Sequence, residues 1–183
     1  MSNSNSKTAL IVVDMINSYD FDDADKLRES VREALPAMVE LVDRAKERDV
    51  EVVFVNDNYG AWHQGRTELV EQTLAGEYAD LVEPIAPADD VSFVVKARHS
   101  IFYETPLEYL LRQDDIQRLI LIGQVTEQCI LYSALDAYIR HFSVHVPPDA
   151  VAHIHPDLAE AALKMMEINM AADLTAAAEL LSG

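Results

Sequence analysis

The chain has 183 residues, 50% hydrophobic and 25% charged, enough to bury one sizeable core and too few for two comfortable domains. A net charge of −18 argues against binding nucleic acid or an anionic membrane through the general surface. One cysteine rules out an intrachain disulfide framework, no apolar run reaches the ~18 residues of a membrane span, and residues 1–6 lack the apolar stretch of a signal peptide, so a cytoplasmic protein is expected.

Residues 1–6 read as a disordered tail and residues 7–183 as a single domain. Residues 8–13 form an aliphatic run ended by Asp14, the pattern of a strand buried on both faces. Ligands of open parallel sheets sit beyond the carboxyl ends of the strands, so Asp14 is a candidate site residue, although alone it could equally be a loop or capping residue. Leu27, Val31, Leu35, Met38 and Val42 then recur at helical spacing and predict an amphipathic crossover over 25–49, with Pro36 as its point of bending.

Residues 51–55 are a second strand. They lead into the loop 56–63, which holds the only tryptophan; Trp62 is expected to wall a small-molecule pocket, with cover over the core or an oligomer contact as the alternative. Short helices follow over 66–74 and 77–81, then a Pro-rich loop over 84–90. Residues 92–95 are a third strand with Lys96 directly after it. Thr105 is placed to cap a helix that starts at Pro106.

Residues 118–122 are the fourth strand, ended by Gly123. Thr126 is expected to cap the next helix, its hydroxyl accepting the amide hydrogen of Cys129, so that the thiol sits in a first helical turn. There the helix dipole favours a thiolate relative to a free thiol of pKa about 8.5, whereas a lone cysteine read in isolation is more often an inert buried group. A fifth strand over 142–146, a helix over 156–166, a short strand near 169–172 and a C-terminal helix over 174–181 complete the alternation. The implied fold is α/β with a mainly parallel sheet of five or six strands.

Asp14, Lys96 and Cys129 each follow a separate buried strand, and in a parallel sheet those ends share one edge. The chemistry gives each a role: Cys129 as nucleophile, Asp14 as the group that takes its proton and returns it to a leaving nitrogen, Lys96 as the cation that favours thiolate and carboxylate. Backbone N–H groups of Val125 and Cys129 are the natural oxyanion donors if the turn folds back over the strand end.

In these features the chain resembles the isochorismatase-like cysteine hydrolases, which include nicotinamidases, N-carbamoylsarcosine amidohydrolases and related small-amide hydrolases. The resemblance rests on the strand ending in Asp14-Met15, the strand ending at Asn56-Asp57, Lys96 followed by Ser100, Phe102 and Thr105, and the stretch from Gly123 to Cys129 leading into Ala134-Leu135-Asp136-Ala137. It implies a Rossmann-like three-layer αβα sandwich, an Asp14, Lys96, Cys129 triad, a cis peptide bond between Gln124 and Val125 that aims the Val125 amide, and a homo-oligomer, dimer or tetramer. Substrate contacts are expected from Tyr19, Asn56, Trp62 and Phe102.

Nicotinamidases of the family hold a metal through an Asp-x-His motif after the second strand. Here that place reads Asp57-Asn58-Tyr59, leaving His63 without paired ligands, and His153-x-His155 reads as surface or packing residues, so neither metal nor cofactor is expected. The expected activity is hydrolysis of a small amide, ureido or imide-like compound through a thioester, releasing ammonia or an amine. The alternatives are hydrolysis of an isochorismate-like vinyl ether or an ester, or a silent member serving as a binding subunit.

Overall fold

The aliphatic run before Asp14 is strand β1 (Lys7–Val13), in which Ala9 to Val13 are fully buried. The computed structural model describes residues 7–182, so the expected tail over 1–6 lies outside the described residues. Beyond β1 come β2 (Glu51–Asp57), β3 (Ser92–Lys96), β4 (Ile116–Gln124), β5 (Ser143–His145) and β6 (Val151–Ala152). The strand order is β3-β2-β1-β4-β5, β6 also pairs with β4, and every pairing is parallel.

Period-two alternation sends the two sides of each strand to different layers. Leu10, Val12, Phe54, Ile120 and Ile122 face the long helix α1 (Ala24–Glu47), which runs unbroken through Pro36. A short helix, α2 (Arg66–Leu74), follows β2. Ala9, Ile11, Val13, Val55, Leu119 and Leu121 belong to the opposite core, with α3 (Leu107–Gln113), α4 (Leu131–Ile139) and α5 (Pro156–Met170). The result is the three-layer α/β sandwich with a mainly parallel six-stranded sheet. Among the described residues no helix is long and apolar enough to cross a membrane.

The chain lays β1, β2 and β3 outward on one side, then returns to place β4 on the other side of β1. That reversal opens a crevice at the carboxyl ends of β1 and β4. Gly123 makes the two strands fit: its φ is +113°, and a Cβ there would lie 2.2 Å from the Val13 carbonyl oxygen.

Several local expectations are corrected. Thr126 does not cap a helix by accepting the Cys129 amide hydrogen; its hydroxyl donates to the Ala152 carbonyl at 2.9 Å and ties the turn to β6. The turn itself, Thr126–Ile130, is π-helical, with the Ile130 N–H bonded to the Val125 carbonyl. No strand forms over 169–172, because α5 continues to Met170 and Asp173 alone bridges to His145. The expected C-terminal helix is reduced to one 3-10 turn, Ala177–Glu179. Asp149 accepts the Ala177 N–H and Arg44 donates to the carbonyls of Ala177, Ala178 and Leu180, so side chains satisfy backbone groups that a longer helix would have paired.

Candidate active site

Asp14 leaves the end of β1 in a left-handed conformation, φ 55°, a region that aspartate tolerates better than most residues. Its N–H donates to the Val55 carbonyl, and its Oδ1 accepts the Asp57 N–H at 2.8 Å. Asn56 secures the next residues: its Oδ1 accepts the Ile16 N–H while its amide donates to the carbonyls of Ile16 and Asp57, all at 2.9 Å. From the other side, Gln124 donates to the Asp14 carbonyl at 2.6 Å and accepts the Tyr19 hydroxyl at 3.5 Å. The Gln124–Val125 peptide bond is cis.

Lys96 is the last residue of β3, two strands from β1, and its long side chain spans the intervening end of β2. Its Nζ lies 2.9 Å from Asp14 Oδ2, 3.8 Å from Asp57 Oδ2 and 3.6 Å from Cys129 Sγ, and donates to the Arg98 carbonyl at 3.0 Å. Only 1% of Lys96 is exposed. Cys129 is also buried, in the π-helical turn, and His99 Nδ1 approaches its sulfur to 3.7 Å. The structure therefore brings Asp14, Lys96 and Cys129 to one point on the sheet edge.

The electrostatics differ from the helix-dipole expectation. Burial pushes the Cys129 thiol up to about 12, the Asp14 carboxylate adds to the rise, and Lys96 opposes it. Burial also raises Asp14, against the pull of Lys96. Lys96 loses hydration as well, but Asp14 and Cys129 outweigh that loss and its ammonium is held protonated. At rest Cys129 is a thiol with the Lys96 ammonium 3.6 Å from its sulfur, because burial in a tight turn outweighs the partial charge of a helix end.

A pocket of about 430 Å³ opens over Cys129, walled by Asn17, Phe21, Tyr59, Gln128 and Ile154 as well as the three groups. Over half of Tyr59 is exposed, yet its hydroxyl end lies in the pocket, where desolvation and then the charges of Asp14 and Asp57 raise its ionisation well above the ordinary phenol range.

None of the four residues expected to touch substrate lines this pocket. Asn56 and Tyr19 are buried behind the pocket and brace Asp14 and Gln124. Phe102 stacks on Phe142 in the core at a centroid distance of 5.8 Å. Trp62 is 66% exposed and does not line the pocket. Sequence reasoning passed over Asn17, Phe21, His99 and Gln128; His99 alone carried a signal, as an imidazole three residues after the strand-end lysine.

The motif residues around Lys96 hold its loop. Ser100 is hydrogen-bonded to Asp136 on α4, the Ile101 N–H donates to Ser133, and Thr105 donates to the Ile101 carbonyl. Among the described residues no three His, Cys, Asp or Glu side chains converge as a ligand set. Asn58 instead accepts the Gly60 N–H, and His153 pairs with Ser30.

An isochorismatase domain model matches residues 8–179 of the chain. The chain belongs to the isochorismatase domain family. It is 33% identical over 167 residues to the isochorismatase family protein YaaI of Bacillus subtilis, covering 91% of this chain and 92% of YaaI. It is 27% identical to the ureidoacrylate amidohydrolase RutB of Agrobacterium fabrum, covering 86% and 81% of the two chains. Among solved structures, the nicotinamidase/pyrazinamidase PncA of Bacillus subtilis superposes with a TM-score of 0.73 at 29% identity, over 92% of this chain and 99% of PncA.

Proposed function

We propose that this isochorismatase-family protein is a cysteine hydrolase of C–N bonds, acting on a small amide, ureido or imide-like compound and releasing ammonia or an amine. The observation that carries the reading is the buried Lys96 ammonium, 2.9 Å from Asp14 and 3.6 Å from Cys129 at the floor of a pocket. Structural needs alone give no reason to bury a lysine, an acid and a thiol together, since desolvating charge is costly.

In the proposed cycle the substrate carbonyl carbon meets Cys129 Sγ as Asp14 takes the thiol proton. A high resting thiol pKa suits this order, because the proton leaves only when the sulfur attacks. The backbone N–H groups of Val125 and Cys129 receive the oxyanion. Asp14 then returns the proton to the leaving nitrogen, the C–N bond breaks, and the acyl group remains as a thioester. A water molecule, deprotonated by Asp14, attacks it to give the acid and restore the thiol. Names such as ureidoacrylate amidohydrolase and nicotinamidase among the relatives support C–N hydrolysis.

The test is ammonia release across a panel of small amides, with Cys129→Ala as control. Loss of at least about a thousandfold in kcat/KM is expected, and equal activity in the variant would sink the covalent mechanism. A nucleophile that must stay reduced supports a cytoplasmic setting. Exposed Tyr138 and Ile139 on α4, beside exposed Leu158 and Ile168 on α5, support a homo-oligomer through that layer. Sedimentation would decide, with a monomer at micromolar concentration counting against it.

A further inference from the structure

The charges around the pocket are one-sided. Asp14, Asp20 and Asp57 face it, against the single ammonium of Lys96. That ammonium is committed: it touches both Asp14 and Asp57 and donates to the Arg98 carbonyl. His99, the other basic side chain in the wall, sits on the sulfur at 3.7 Å rather than further out where a substrate tail would lie. Arg98 is exposed and does not line the pocket. Arg28 lines the adjoining groove, but its guanidinium lies 4.1 Å from the Tyr78 ring centroid and donates to the Tyr19 carbonyl.

The outer wall has the opposite character. Exposed Asp20 stands next to Phe21, which is 44% exposed, and Tyr59, which is more than half exposed, lines the same pocket. Aromatic rings and a carboxylate in the wall of one pocket attract an organic cation through ring quadrupole and charge together. A carboxylate tail placed there would meet like charge and, as the only arginine or lysine among the described residues that line the pocket, the Lys96 ammonium already held by Asp14 and Asp57.

Resting on the hydrolase reading above, we propose that the substrate is an amide whose tail carries a positive charge, an ammonium or similar group, and that the pocket rejects amides bearing a carboxylate. Asp20, Phe21 and Tyr59 receive the tail while the reactive carbonyl faces Cys129.

Because Cys129 is the only cysteine, the local field can be read without any turnover. The probes are three methanethiosulfonates bearing an aminoethyl, a propyl or a sulfonatoethyl group; each converts the thiol to a mixed disulfide with loss of methanesulfinate. Modification is followed by intact mass in about 0.5 M salt, which screens the −18 of the whole surface, and rates are divided by those of a small free thiol. The cationic reagent should exceed the anionic one by at least about tenfold, the lower end of what a charged cleft does to encounter. Asp20→Asn should reduce that ratio severalfold. An equal or inverted ratio in the wild-type protein overturns the proposal.

The second arm compares ammonia release from 3-aminopropanamide, butanamide and succinamate, with kcat/KM expected to fall in that order. Turnover with succinamate best would overturn the charge assignment and leave the hydrolase reading standing. A retained tenfold reagent ratio with no turnover of any amide would support the cation-selective wall and count against the hydrolase reading.

Discussion

Replacing Asp14 by Asn should make the Cys129 thiol more acidic while abolishing hydrolysis. In the wild-type site burial and the Asp14 carboxylate hold the thiol near 12, and Lys96, 3.6 Å from the sulfur, is largely neutralised by its 2.9 Å contact with Asp14. The substitution removes the repelling charge and leaves the lysine to the sulfur. Two unit charges about 4 Å apart at an effective dielectric of about 20 interact by about 4 kcal/mol, an upper figure corresponding to roughly 3 pK units. Because Asp57 retains a 3.8 Å hold on Lys96, the expected fall is smaller than that upper figure. Thiolate absorbance at 240 nm, taken as a difference against Cys129→Ala at each pH, measures it directly. Wild-type protein should show almost no thiolate up to pH 10, and the Asn variant a clear thiolate fraction at that pH. Lys96→Met should shift the thiol in the other direction. A wild-type thiolate present at neutral pH would mean that the proton already rests on Asp14, and an Asn variant with an unchanged or higher thiol pKa would refute the electrostatic account.

Three other outcomes separate the observed site from simpler readings. Trp62→Ala should leave kcat/KM within about twofold, since the ring is exposed and outside the pocket; a tenfold loss would mean that a neighbouring copy carries Trp62 to a pocket. Gly123→Ala should cost about 3 kcal/mol or more in urea unfolding, because its Cβ would lie 2.2 Å from the Val13 carbonyl oxygen and β1 and β4 must separate; a loss below about 1 kcal/mol would show that the junction yields easily. His145, whose ionisation is lowered by burial despite Asp173, binds fewer protons folded than unfolded. Stability should therefore drop as pH falls below the ordinary histidine value of about 6.5, and His145→Gln should flatten that acid limb in pH-dependent denaturation.

The strands were legible because both faces of the sheet are covered: residues 9–13 and 119–122 are apolar without interruption, and only a two-sided burial demands that. From the strands followed the edge, and from the edge the meeting of Asp14, Lys96 and Cys129, since a parallel sheet leaves little choice about where its strand ends lie. The walls were not legible. Trp62 and Phe21 are both aromatic residues in loops beyond strand ends, yet only Phe21 enters the pocket; the difference lies in how the 15–23 segment folds back, pinned by Asn56 forty residues away in sequence. Nor could spacing reveal that the turn before Cys129 would be π-helical, with Thr126 drawn to the Ala152 carbonyl of a two-residue strand.

That last contact changes the chemistry inferred from Cys129. A thiol at an exposed helix start would be activated in advance by the helix dipole. Seated instead in a buried turn and facing Asp14, it is held protonated, and the Lys96 charge that would release it is shared with the carboxylate. Reactivity then depends on what enters the pocket. A carbonyl that draws the sulfur forward lets Asp14 accept the proton as the bond forms, so the site stays quiet toward solutes that cannot take that position. The same burial that hides the nucleophile makes it selective, and the acid that suppresses the thiolate is the base that completes the attack.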